Sequence, residues 1–559
     1  MLSLAGNLLA EVSLPKLLVA CTLLIVLPGL MLGAAPLILS IWILGVSAKL
    51  SALLSGVGPI LLLSGFAAVG WFGGRPLFRL AEGSFWSLNA LVVQPGYALS
   101  RETFRHLVEG LLPAGASPST VASIRAATAA GAGLVMGAVG LSAALLAWPA
   151  TRWTAGLADL VAPHQLVVPI VANAVVITAV YLGSAGLIWG AADATTPQPA
   201  DLRSFHRPRT NGRRWRIAHV SDLHVVGERY GYRIESGRAG VRGNERLRSV
   251  LERLDAIHAE QPLDAIIVTG DLTDAGRSTE WAELLDVIAR YPALSELIVA
   301  LPGNHDVNVI DRANPARLDL PTSPKKRLRQ LRTLSALEAL QGSRVRVVDR
   351  KTGRLGNSLS DALKPHVEAI RSFADRGRPR RSRALAELWP SLFPMVQPPD
   401  SADGLGIIIL NSNAQTHFSF TNALGLVSAG QVDALDIAVR QYPDAHWIVA
   451  LHHHPVEYPK PAEALSERIG TALVNGSWFV RKLRRIADHV IVMHGHRHVD
   501  WIGECGGLLI VSAPSPVMEP VEDRDTYFYI HTLQEDEGRR LRLLEPERIE
   551  VRALWSVGG

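Results

Sequence analysis

Five short clusters of metal-binding side chains, each directly behind an apolar strand-like run, constrain this chain more than any other feature. In order they are His219-Val220-Ser221-Asp222-Leu223-His224, Gly270-Asp271, Gly303-Asn304-His305-Asp306, His452-His453-His454-Pro455 and Gly495-His496-Arg497-His498. The runs before them, 215–220, 265–269, 297–301, 447–451 and 489–493, have the length and apolar content of buried strands. Strand ends carrying Asp, His and Asn would gather on one edge of an α/β sheet, where ligand sites tend to form.

The residue types fit one chemistry. Moving a phosphoryl group to water needs an activated hydroxide, counter-charge for the phosphoryl oxygens and a proton for the leaving oxygen. Two metal ions about 3.5–4 Å apart supply the first two. Cations that close need a bridging anion, and each oxygen of a carboxylate can bind one of them. Imidazole and carboxylate together suit Mn, Fe or Zn better than Mg or Ca, which favour all-oxygen shells.

The order Asp-x-His, Gly-Asp, Gly-Asn-His-Asp, His-x-Pro, Gly-His-x-His resembles the calcineurin-like metallophosphoesterase family, from residue 215 onward. The resemblance implies a four-layer αββα sandwich and two divalent or trivalent transition-metal ions. It assigns Asp222, His224, Asp271 and His498 to one ion, and Asp271 (as the bridge), Asn304, His453 and His496 to the other. Among the three consecutive histidines the family pattern selects His453, two residues before the proline. Strand alternation would turn His452 and His454 to the opposite face. His305 is the implied general acid, with Asp306 to orient it. His219 reads as a packing residue and Asp274 as a turn or helix-cap residue. Arg497 reads equally as a contact to substrate phosphate and as packing.

The front third, 1–194, reads as a membrane domain. No charged residue lies between Lys16 and Lys49 or between Lys49 and Arg75, and 126–150 and 161–192 are also charge-free. A bilayer core takes about 20 apolar residues per helix, which places four helices near 17–44, 52–72, 131–148 and 166–189. Pro28-Gly29 and Pro36 would kink or break the first. Three further apolar segments follow it, which argues against a cleaved signal peptide. The loop 75–125 holds five Arg and the segment 203–216 six, against Arg152 alone between the third and fourth helices. The positive-inside rule then puts the soluble part in the cytoplasm of the membrane-anchored chain. Cys21 and Cys505 offer no disulfide framework.

A Pro- and Arg-rich linker, 195–214, leads into the soluble domain, 215–559. That domain carries a basic insertion near 307–404. Residues 307–400 hold 19 Lys and Arg against 9 Asp and Glu, while the whole chain is only +5. The densest patches are 325–332 and 376–383. A helical lobe with a solvated charged face and a cap that meets anionic lipid or substrate are both open readings. The expected function is a membrane-bound phosphodiesterase acting on a small or lipid-linked phosphoester. Nucleic acid is a weaker partner, because no aromatic-interleaved basic stripe accompanies the charge. A nuclease of the same family, or a membrane sensor that binds metal and ligand without catalysis, are the alternative readings.

Overall fold

The structure, a computed structural model, describes residues 14–551 except 52–56, 114–115, 211, 229–230, 235–241, 312–313, 315–316, 321–322, 377–381, 383, 418, 461–467, 469–470, 472 and 519–524. It divides into two compact units, one spanning Ser13–Thr195 and one containing Thr196–Gly559.

The first unit is helical. Among the described residues four runs are long and apolar enough to cross a membrane: Leu14–Lys49, Ile60–Glu82, Ser119–Ala150 and Pro163–Ala194. Neither Pro28 nor Pro36 breaks the first, which stays helical through a π-helical turn at Thr22–Val26. Its 36 residues span about 54 Å at 1.5 Å each. The third and fourth runs pack backbone to backbone. A Cβ on Gly133 would press on Gly190, and one on Gly140 on Gly183. Small residues at such crossings are a membrane-helix habit.

This unit also buries a cluster of charges. The helix Gln94–Glu109, which hydropathy alone leaves in a loop, buries Tyr97, Arg101, Glu102 and Arg105. Arg101 pairs with Glu102 at 2.8 Å and Asp193 at 2.6 Å, Arg105 with Glu102 at 3.0 Å, and Arg125 with Glu109 at 2.8 Å. On the same helix Leu99 and Leu107 are exposed. Three of the five arginines counted in the 75–125 segment therefore sit in buried ion pairs.

The second unit is a sandwich of two mixed sheets. Its strands are β1 (Ala200–Asp201), β2 (Arg214–Val220), β3 (Ala265–Val268), β4 (Ile298–Ala300), β5 (Arg346–Asp349), β6 (Arg354–Ser358), β7 (Met395–Gln397), β8 (Leu405–Ile409), β9 (His446–Ala450), β10 (Val490–His494), β11 (Trp501–Cys505), β12 (Leu508–Ser512), β13 (Thr526–Glu535), β14 (Leu541–Leu543) and β15 (Glu547–Val551). One sheet runs β1-β11-β12-β10-β9-β8-β7-β5-β6. The other runs β14-β13-β2-β3-β4, with β15 also paired to β13. The centres of both are parallel.

Residue alternation builds the layers. Ile407, Ile409, Ile448, Ala450, Ile491 and Met493 share one core with Ile217 and Ile266 of the facing sheet. Their neighbours Ile408, Trp447, Val449, Val490 and Val492 pack instead with Leu435, Phe479 and Val480, which lie on the helices Ala429–Gln441 and Gly476–Leu483. Helices Glu245–Glu260 and Ser278–Ile288 pack Leu247, Leu254 and Leu284 into the core on the side of the second sheet.

The basic insertion is built into this fold. It supplies β5, β6 and β7, which extend the nine-stranded sheet beyond β8. Its helix Pro324–Gln341 puts Leu331, Leu334 and Leu337 in the main core. Several of its cations tie down loops. Arg329 pairs with Asp319 at 2.6 Å and donates to the Val307 carbonyl at 3.0 Å, and Lys326 donates to the Thr416 carbonyl at 3.1 Å. Most of the 376–383 patch lies outside the described residues. The linker is also held by this unit: β1 pairs with β11, the His206 amide reaches Leu543, and the Arg209 amide reaches Gln534.

Candidate metal centre

The ends of β2, β3, β4, β9 and β10 meet at one edge of the sandwich, and the five motifs follow them. Beyond the strands the first two motifs keep pairing. The Asp222 amide donates to the Gly270 carbonyl at 3.1 Å and the His224 amide to the Asp271 carbonyl at 2.9 Å. Among the described residues six non-glycine residues have left-handed backbone, and five of them are Asp222, His224, Asp271, His496 and His498, with φ between 41° and 79°. Such conformations cost about 1–3 kcal/mol each and cluster at functional sites. The motif glycines admit the carboxylates: a Cβ on Gly303 would overlap Asp271, and one on Gly495 would overlap Ser221 and Asp222.

Two sets of ligand atoms result. In the first, the His498 Nε2 stands 3.4 Å from Asp222 Oδ1, and the His224 Nε2 stands 3.8 Å from Asp271 Oδ2. In the second, the His452 Nε2 lies 3.3 Å from Asp271 Oδ2, 3.0 Å from Asn304 Oδ1 and 3.0 Å from His496 Nδ1. Asp222-His224-His498 and Asp271-His452-His496 are each compact enough to hold a cation, as is His224-Asp274-His305. Asp271 has an oxygen beside both sets.

The residues fit cations. Asp222 Oδ1, both ring nitrogens of His224, His453 Nε2 and His496 Nε2 are buried without a hydrogen-bond partner. Leaving such an atom unsatisfied costs about 1–3 kcal/mol. The electrostatics agree. Burial would raise Asp222 and Asp271, yet the surrounding imidazoles hold both below the usual carboxylate range. Burial would lower His452, but Asp271 and Asp222 outweigh it and push it up to about 9. The pocket draws positive charge.

Asp222, His224, Asp271, Asn304, His453, His496 and His498 all stand around this edge, and His452 stands among them. The imidazole among Asp271, Asn304 and His496 belongs to His452. That of His453 bonds through Nδ1 to Ser412 Oγ at 2.9 Å, keeps its buried Nε2 without a hydrogen-bond partner and lies 4.4 Å from the His496 ring. β9 ends at Ala450, so strand alternation does not govern 452–454. His452 Nδ1 is bonded to the Thr269 carbonyl at 2.8 Å, which presents Nε2 to the pocket, the usual orienting contact of a metal-binding histidine.

Asp306 is fully buried. Its oxygens accept from the amides of Gly303, Leu272 and Thr273 and from the Thr273 hydroxyl, so it pins the two loops together. The His305 ring is oriented by the Asp274 carbonyl, 2.8 Å from Nδ1. Asp274, read from sequence as a turn or cap residue, also places Oδ1 3.6 Å from His224 Nδ1. Asn422 is a further residue without a sequence signal. It accepts from Asn304 Nδ2 at 3.2 Å, which turns Asn304 Oδ1 towards His452.

A family model, calcineurin-like phosphoesterase, matches residues 216–500, about half of the chain. The cAMP/cGMP dual specificity phosphodiesterase MT0825 of Mycobacterium tuberculosis is 30% identical over 149 residues, 26% of this chain and 41% of that protein. The match thus spans less than half of the relative. Among solved structures, a dimetal phosphatase from Danio rerio is 12% identical, covering 61% of this chain and 99% of its own at a TM-score of 0.36. The calcineurin-like phosphoesterase YfkN from Bacillus subtilis is 11% identical, covering 62% and 93% at a TM-score of 0.29.

Proposed function

The chain belongs to the calcineurin-like phosphoesterase family, a metal-dependent phosphoester hydrolase family, and from that premise we propose that it is a membrane-anchored phosphodiesterase acting on a small or lipid-linked phosphodiester. The observation that carries the reading is the pair of ligand sets meeting at Asp271. The diester preference draws on the Mycobacterium relative, whose name gives cyclic nucleotides as its substrates.

In this proposal Asp222, His224, Asp271 and His498 hold one metal ion, and Asp271, Asn304, His452 and His496 hold the other. When bound, the two ions would activate water and neutralise the phosphoryl oxygens. The chain's own residues do the rest. The Thr269 carbonyl fixes the orientation of His452 through Nδ1, and Asn422 fixes Asn304. His305, anchored at Nδ1 by the Asp274 carbonyl, would deliver the Nε2 proton to the leaving oxygen.

The choice of His452 over His453 is directly testable. His452→Ala lowers metal content and weakens Mn binding by about 10–100-fold or more, as loss of a ligand or its support does; His453→Ala leaves stoichiometry at two. Metal analysis after desalting decides it, and the opposite pattern restores His453 to the ligand set.

The four apolar helices support anchoring in a membrane, and the arginine distribution supports a cytoplasmic catalytic unit. Because Lys326 and Arg329 hold loops, contact with anionic lipid is assigned to the 376–383 run, at on the order of 1 kcal/mol per cation near the surface. Reversing those charges should reduce hydrolysis presented on anionic vesicles several-fold and leave soluble bis-p-nitrophenyl phosphate unaffected; equal losses on both refute the lipid role. The reading as a whole is tested by assaying the full-length protein with Mn on bis-p-nitrophenyl phosphate, cyclic nucleotides and phospholipids. No turnover on any of them by the folded, metal-loaded protein overturns it.

A further inference from the structure

We propose that Arg497 is a positioning residue for the two imidazoles that flank it, acting through a buried ion pair with Glu457. The inference rests on the reading of His496 and His498 as ligands. It departs from the alternative that Arg497 grips the substrate phosphate.

The guanidinium does not project into open space. Its side chain is 5% exposed, and its Nη1 donates to Glu457 Oε1 at 3.1 Å. Its central carbon lies 5.2 Å from the centroid of the Tyr458 ring. The other Glu457 oxygen stands 3.7 Å from His454 Nε2. An arginine already opposed by a carboxylate and seated on an aromatic face is a poor receptor for a second anion.

What the pair joins gives it a role. Glu457 follows His452 on one loop, and Arg497 lies between His496 and His498 on another. The ion pair is thus a tie between two loops that carry ligands to the same centre. The second loop needs an outside restraint, because His496 and His498 both hold left-handed backbone, at φ 79° and 52°. L side chains avoid that region, and only surrounding structure keeps them there.

Tyr458 makes the tie rigid. Its hydroxyl is 2.8 Å from Ser512 Oγ. The serine gives its single proton to the Val499 carbonyl, so the tyrosine is the donor in that contact. The Tyr458 ring also packs 5.2 Å from Trp501, whose indole N–H donates to Asp201 Oδ1 at 2.8 Å. A continuous stack therefore runs from the linker strand β1 through Trp501 and Tyr458 to Arg497.

The test uses the full-length protein in detergent. Mn binding is followed by calorimetry and electron paramagnetic resonance, beside steady-state hydrolysis of bis-p-nitrophenyl phosphate. Arg497→Met should weaken Mn binding by about 10–100-fold, the usual effect of removing support from around a metal site, with KM unchanged at saturating Mn. Arg497→Lys, which keeps the charge beside Glu457, should recover most of the loss. Unaltered Mn affinity in Arg497→Met overturns the proposal, and a raised KM alongside it would assign the arginine to substrate. If Arg497→Met does not fold, Glu457→Gln breaks the same pair and should weaken Mn in the same sense; wild-type affinity there overturns the proposal equally. His498→Ala is the control on the underlying reading. Full Mn stoichiometry in His498→Ala removes the ligand assignment itself, whereas its loss together with wild-type Mn affinity in Arg497→Met removes only the positioning role.

Discussion

Asp271→Asn is expected to lose metal from both positions and to reduce kcat/KM by on the order of 10³–10⁴, equivalent to several kcal/mol of transition-state stabilisation. The carboxylate has one oxygen engaged by the His305 amide at 2.8 Å and the other between His224 and His452. Asparagine matches its shape and keeps an oxygen for one of those roles. It has no charge and only one acceptor, so it cannot bridge two cations. Its amide hydrogens would also face imidazole nitrogens meant for metal. Folding should survive, because the Asp271 backbone still accepts from the His224 amide and the Gly303 loop is pinned separately by Asp306. Metal analysis by plasma mass spectrometry and a thermal melt separate the two effects. Two ions retained per chain would sink the bridging assignment.

The parts of this centre legible in the sequence are those fixed by strand geometry. Residues at the ends of β2, β3, β4 and β10 were placed by the apolar runs before them, because a buried strand delivers its next residues to the sheet edge whatever the surroundings. Asp222, His224, Asp271, Asn304, His496 and His498 all reach the pocket for that reason. The histidine run was harder. Three consecutive imidazoles carry no periodicity, and beyond Ala450 the chain turns, so that His452 meets the Thr269 carbonyl and His453 the Ser412 hydroxyl at the same edge. Asp274 and Asn422 act from loops, through contacts made only once distant segments meet. No spacing in the chain announces them.

The insertion shows the same limit on a larger scale. Its excess of arginine and lysine suggested a charged lobe or a cap, but composition does not record pairing. Arg329 meets Asp319 and the Val307 carbonyl, and the leucines on the opposite side of its helix complete the core. In the helical unit the arginines at 101, 105 and 125 were visible as charge, but their burial was not. A helix with a charged inner face looks like a surface loop to any hydropathy window.

His305→Ala should keep both metal ions and lose turnover by about 10²–10⁴, the range of a general acid in proton transfer. The ring meets His224 edge-on at 4.4 Å between centroids, close enough to serve the same substrate atoms. Its Nδ1 is committed to the Asp274 carbonyl, so that nitrogen carries the proton when the ring is neutral. Protonated, the ring can deliver the Nε2 proton to a leaving oxygen. The loss should therefore depend on the leaving group: smallest for p-nitrophenolate, which departs unaided, and largest for an alkoxide such as a ribose or glycerol oxygen. The same dependence should flatten the alkaline limb of the pH–rate profile, since deprotonation of His305 no longer matters in the variant. His305 also shares a compact group with His224 and Asp274, which makes metal content the decisive control. Loss of an ion from His305→Ala would make it a ligand and not the acid, and an equal fall in rate for good and poor leaving groups would remove the acid role.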